Sequence, residues 1–381
     1  MTDHLAGRQA SRVQAIDVVR GFVMVIMTLD HSSTTFNAGR IMYDSALVSH
    51  PGLALDPAQF VVRWVTHLCA PTFVFLAGAS LALSVTRRLR DGVPGWSIDR
   101  DILIRGALLI ALDVAWMGWV WRLGLPIQLG VLYAIGASMI GMIVLRRLPA
   151  AGVGALGVAV MVGGEALAAL LDPGTPLAIA TMGPGQVGSV QVLYSFLPWT
   201  GFLMVGWAAG KRLASGPAMR ARDWLARSGI AAVVFAVVRG ANGYGNAHMP
   251  RSSGSWIEWL HVSKYPPSLA YAGLELAIAF ALLAAAWWWT RAAPSGGDAR
   301  RQPGAKALWR PLAVLGQTAL FYYLLHVHLF KAAAVVLGLY KTQGLVTTFI
   351  AWAAMLVALY PVSRWYLGVK RRHPDSVLRF L

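Results

Sequence analysis

The chain has 381 residues, 57% of them hydrophobic and only 13% charged, and its mean hydropathy is +0.58; this balance excludes an ordinary soluble domain and describes an integral membrane protein. The formal net charge of +17 raises the question of a nucleic-acid partner, but the basic residues are spread over short segments between apolar runs. That is the positive-inside pattern of a membrane protein, and no nucleic-acid partner is expected.

Residues 1–12 are polar and lead to no small-residue cleavage pattern, so the first hydrophobic segment is expected to be retained. That segment, IDVVRGFVMVIMTLDH, carries Asp17 and Arg20 near its start and Asp30 and His31 at its close. Arg20 and His31 are separated by about three full helical turns plus roughly 20°, so they share one face about 16 Å apart along the axis. Ionisable groups on one stripe of a membrane helix are costly to keep there and mark a functional site.

Ten apolar stretches read as membrane spans: 14–31, 59–85, 102–121, 126–145, 150–171, 190–210, 224–240, 266–289, 311–338 and 344–367. An eleventh crossing would require 250–262 to enter the membrane. With the N-terminus inside, the inner segments carry most of the arginines, among them Arg87, Arg88, Arg90 and Arg100. Outer loops keep few, such as Arg40, Arg122 and Lys341. The expected fold is therefore all-α, a polytopic integral membrane protein of about ten transmembrane helices with both termini inside. A single domain, 1–381, would comprise an inner tail (1–13), the bundle (14–367) and an inner basic tail (368–381). The segment APSGGDARRQPGAKA reads as a flexible inner linker. The single cysteine, Cys69, excludes an intramolecular disulfide.

Polar residues gather towards the outer side. In RWVTHLCAPTFVFLAGAS, Arg63 and His67 lie on one helical face, and Pro71, four residues after His67, frees a backbone carbonyl close to that histidine. His31 and His67 meet if the first two spans pack antiparallel, and the loop joining them holds Asp44, His50 and Asp56. Arg122 and Gln128 flank the turn between the third and fourth spans. A long outer loop offers His248, His261, Lys264 and Tyr265. Within the spans, Asp113, Glu165, Glu275, His326 and His328 are exceptions, and Arg105 opens the third span. Plainer readings stand beside these. Asp17 and Arg20 suit an internal ion pair, Arg105 suits a positive-inside anchor, and His326 and His328 cannot share a helix face. The glycines of TMGPGQVGSV suit an outer loop, not a phosphate cradle.

The spacing in RGFVMVIMTLDH, an arginine, ten residues and a histidine, resembles a signature of polytopic membrane acyltransferases that acylate sugars. Together with THLCAPTFVFLAGASLALS, LPIQLGVLYAIGASM, LPWTGFLMVGWAAGK, SKYPPSLAYAGLELA and LGQTALFYYLLHVHLF, it gives the chain a resemblance to bacterial relatives of heparan-α-glucosaminide N-acetyltransferase over nearly its whole length. The resemblance implies transfer of an acetyl or other acyl group from acyl-coenzyme A, usually acetyl-CoA, on the inner side to a hydroxyl or amine on the outer side. It implies a sugar-type acceptor, a glycan or small molecule, and a multi-pass protein in the lipid bilayer of the bacterial cytoplasmic (inner) membrane. No metal is called for, and a homo-oligomer is left open. One departure stands out: the eukaryotic pattern has its histidine in the loop before the second span, where this chain has His50, while His67 lies inside the helix.

A hydroxyl attacking a thioester needs a base, and histidine suits the task. The expected catalytic residues are His31, His67 and Asp30, with Asp30 orienting an imidazole, that of His67 across the helix gap or of His31 where the helix frays. Arg63, Arg122, Gln128 and Lys264 are placed on the substrate or the oxyanion, and Arg20 and Arg105 on the coenzyme A phosphates. The alternative function is a multi-pass transporter or permease using the same buried polar groups as its path.

Overall fold

Apolar stretches in a membrane must satisfy their backbone groups internally, and the helix is the local solution. In the computed structural model, which describes residues 14–50, 52–121, 127–172, 174–215, 219–291, 303–373 and 376, each of the ten stretches contains a helix. In chain order these begin with α1 (Gln14–Phe36), α2 (Pro57–His67), α3 (Cys69–Arg90), α4 (Gly95–Leu112), α5 (Gly118–Trp121), α6 (Val131–Leu145) and α7 (Ala150–Ala169). There follow α8 (Pro176–Thr181), α9 (Phe196–Ser215), α10 (Ala221–Ala241), α11 (Trp256–Leu260) and α12 (Leu269–Arg291). The last three are α13 (Pro303–Gln317), α14 (Ala319–Val336) and α15 (Leu345–Arg372). Among the described residues, six helical stretches are long and apolar enough to cross a membrane. The 250–262 region holds only the five-residue α11, far short of the roughly 20 residues a crossing needs.

Burial sorts the long helices into two groups. The apolar windows of α2–α3 and α12 are 72% buried, whereas those of α7, α10 and α15 are 11–17% buried. The first group forms the centre of the bundle; the second turns residues such as Leu156, Val233 and Val357 outward, as a lipid-facing helix does. Central helices cross at van der Waals contact through glycine. A Cβ on Gly21 of α1 would lie 1.8 Å from the Leu312 carbonyl oxygen, and one on Gly206 of α9 2.0 Å from that of Phe75 in α3. Only glycine admits such approach.

Three irregularities depart from plain ten-helix reading. The 59–85 and 311–338 stretches are each two helices, broken at Leu68 and at Thr318. The 102–121 stretch is interrupted by a π-helical turn at Asp113–Met117, a rare geometry found often at functional sites. The all-helical expectation also gains a small sheet. β1 (Ile127–Leu129) pairs in parallel with β3 (Val190–Val192), which pairs antiparallel with β2 (Gly185–Val187). The glycine-rich TMGPGQVGSV segment thus builds a hairpin whose turn uses Gly188 at φ +54°, a conformation that glycine adopts without strain.

Candidate active site

The helical stripe of α1 faces one continuous cavity of about 2790 Å³, lined by both Arg20 and His31. This is well above the usual range for a single small-molecule pocket. Its wall changes character along its length. One end is basic, with Arg20, Arg87, Arg90, Arg105 and Arg364; the waist is apolar, with Met24, Phe73, Leu109 and Met139; the other end carries Asp30, His31, Arg40, Gln128, Lys264 and Tyr265.

At the basic end, Arg20 makes the ion pair with Asp17 that their spacing suited, at 3.4 Å. It also donates from Nη2 to Ser80 Oγ at 2.6 Å and from Nη1 to the Gly316 carbonyl at 3.3 Å. These hold the guanidinium against α3 and α13 at the cavity wall.

The other end is organised around His31, which is 8% exposed. His31 Nδ1 lies 2.7 Å from Nε2 of His326, and the rings stack with centroids 4.9 Å apart. His326 Nδ1 lies 2.7 Å from the Tyr322 carbonyl oxygen. A carbonyl only accepts, so Nδ1–H of His326 must donate to it, and neutral His326 then offers Nε2 as an acceptor. His31 therefore donates through Nδ1–H, and its Nε2 carries the lone pair. This is the arrangement a general base needs, with one ring nitrogen fixed so that the other is basic. His326, singled out in the sequence only as one of two alternating histidines, is the residue that sets this state.

Asp30 does not orient either imidazole through a hydrogen bond. Its Oδ1 accepts from Arg40 Nη2 at 2.8 Å, Arg63 Nη1 at 2.9 Å and Thr66 Oγ1 at 2.6 Å. Arg63 also grips Asp44, through Nε at 2.8 Å and through Nη2. The carboxylate that reaches His67 is likewise Asp44, not Asp30: His67 Nε2 is 3.1 Å from Asp44 Oδ1, at ion-pair distance but off the axis of a ring N–H bond. Burial pushes the Asp44 carboxyl up, but Arg63 and His67 outweigh it and hold it well below the usual carboxylate range. His67 is 2% exposed and lies behind the cavity wall. The carbonyl that Pro71 frees on His67 receives the Tyr271 hydroxyl at 3.0 Å.

The loop before α12 closes this end. Backbone N–H groups of Lys264 and Tyr265 donate to the Asp44 carbonyl at 2.9 and 3.2 Å, which brings the 3%-exposed Lys264 to the cavity. Its Nζ stands 5.3 Å over the Tyr265 ring. Asp113, in the π turn, accepts from the Gly130 and Tyr133 N–H groups at 2.7 and 2.8 Å. It thereby caps α6 and positions β1 with Gln128. Of the residues given catalytic, donor or oxyanion roles from sequence, the cavity gathers Arg20, Asp30, His31, Arg63, Arg105, Gln128 and Lys264; His67 is close but sealed away. Arg122 lies outside the described residues.

A helical bundle with apolar outer faces and a polar cavity of this kind defines an integral membrane protein. The family profile "Heparan-alpha-glucosaminide N-acetyltransferase, catalytic" matches residues 12–242, more than half of the chain, and the protein belongs to this family of membrane acyltransferases. No curated protein matches the sequence. The matched region contains Arg20, Asp30, His31, Arg63 and His67, while Lys264 and His326 lie beyond it.

Proposed function

We propose that the protein transfers an acetyl or other acyl group from acyl-coenzyme A, bound at the arginine-rich end of the cavity, to a hydroxyl or amine of a sugar-type acceptor at the histidine end. The observation that carries this reading is the single cavity lined by both Arg20 and His31. Guanidinium groups suit the donor's phosphates, and the apolar waist suits a slender arm. In this reading ten helical crossings place both termini and the basic end on the inner face of a bacterial cytoplasmic membrane.

His31 Nε2 takes the acceptor's proton as its oxygen or nitrogen attacks the thioester carbonyl carbon. The resulting oxyanion is stabilised by the Lys264 ammonium; Arg63 is the weaker candidate because two carboxylates already hold it. Collapse breaks the carbon–sulfur bond, and the leaving thiolate recovers the proton from the His31 imidazolium. His326 is a positioning residue that fixes the His31 tautomer, and the Asp30–Arg63–Asp44 network fixes the helix end that carries His31.

The test is acetyl transfer by proteoliposomes of the full chain loaded with acetyl-CoA, alongside acetyl-CoA binding to the purified protein. His31→Ala is expected to lower the rate at least about 100-fold while leaving binding intact. A wild-type rate in His31→Ala would falsify this assignment, whatever the rate of His67→Ala. Failure of the wild type to bind acetyl-CoA saturably would instead favour a permease.

A further inference from the structure

The three-stranded sheet takes no part in the chemistry above, yet its register places two amides side by side in the cavity. Gln128 of β1 is directly opposite Gln191 of β3, and paired residues on adjacent strands project from the same face about 4.8 Å apart. Both line the cavity, whereas their strand neighbours Ile127, Leu129, Val190 and Val192 do not, as the two-residue period of a strand requires. Among the described residues, neither side-chain amide has a hydrogen-bond partner in the protein. Gln186, opposite Gln191 on its other side, differs: it folds back to donate to the Gly188 carbonyl at 2.9 Å and stays off the cavity wall.

The sheet shares the end of the cavity that holds His31. The Leu129 carbonyl accepts from the Leu193 and Tyr194 N–H groups, and the Tyr194 hydroxyl is 3.2 Å from that of Tyr265, next to Lys264. An uncharged amide offers two donors and an acceptor. Two of them in register match a neutral ligand bearing several hydroxyls, each able to donate and accept. A phosphate or carboxylate would meet two amide oxygens with nothing to donate, and an apolar alcohol would leave polar groups unsatisfied. Tyr194, Tyr265 and Tyr323 line the same cavity and offer surfaces for the apolar face of a ring.

We infer that Gln128 and Gln191 form the platform that reads the hydroxyls of the acceptor; this rests on the acyl-transfer reading above. The test uses the full chain in liposomes with radiolabelled acetyl-CoA. Glucose and N-acetylglucosamine are compared with butanol and 1,2-propanediol, which offer the same hydroxyl nucleophile without a ring of hydroxyls. Wild type should prefer the sugars. Gln128→Leu and Gln191→Leu should each raise the sugar KM about tenfold, with kcat within about twofold and acetyl-CoA Kd unchanged, which also reports correct folding. Gln128→Asn and Gln191→Asn should recover part of the loss, and Gln186→Leu should leave KM alone. An unchanged sugar KM in both leucine variants, or a wild type that binds acetyl-CoA but does not prefer sugars, overturns the inference. A wild type that binds no acetyl-CoA overturns the acyl-transfer reading itself, a separate result.

Discussion

His31 and His67 occupy the same end of the bundle and are both buried, yet they have been given opposite surroundings. His31 opens on the cavity and leans on a neutral partner, His326. His67 is shut behind the wall and faces a carboxylate, Asp44, that Arg63 already neutralises. A base that must hand its proton on needs access and a fixed lone pair; a histidine locked beside an ion pair has neither. In the proposed mechanism, proximity to a carboxylate, usually taken as the mark of a catalytic histidine, would mark the structural one.

The largest effect should separate the pair outright. Single-turnover transfer by His31→Ala should fall at least about 100-fold, whereas His67→Ala, corrected for the folded fraction, should stay within about fivefold of wild type; the reverse result would exchange their roles. Next comes the network behind His67. Arg63→Met leaves Asp44 buried without its guanidinium, and thermal melting in detergent should show a loss of about 3–5 kcal/mol. His326→Ala should slow transfer about 10- to 100-fold without changing acetyl-CoA binding, the scale seen when an orienting partner is removed. His326→Gln, whose amide oxygen can accept from His31 Nδ1–H, should recover part of it, and equal rates in the two variants would argue against tautomer control. The smallest effect is on acid stability. Asp44 is held below its ordinary range, so its contribution is present above the unfolded carboxylate pKa and lost as pH falls through the lower folded value. Melting temperature measured below about pH 4 should therefore drop more steeply in wild type than in Asp44→Asn.

Much of the architecture was legible because the bilayer imposes a simple rule on sequence. Apolar runs, their lengths and the arginine-rich segments between them marked ten helical stretches, and the arc between Arg20 and His31 was pure helical geometry. The breaks at Leu68 and Thr318 and the π turn at Asp113 escaped, because each depends on what packs beside the chain. Pro71 gave a partial signal: it pointed to a freed carbonyl close to His67, and the structure shows it to be that of His67 itself, with Tyr271 as its donor. The sheet was hidden for a similar reason, since β1 and β3 are each three residues long, too short to show a period, and their partners are distant in sequence.

By itself, then, the sequence determined a membrane protein with an acyltransferase family signature and a charged stripe along its first helix, because hydropathy, spacing and local periodicity are properties of neighbouring residues. Only the tertiary structure decided that His31 meets His326, that Asp44 rather than Asp30 meets His67, and that Gln128 meets Gln191. Those pairs are brought together by helix crossings and strand register, and the free energy that selects them belongs to packing across the whole bundle.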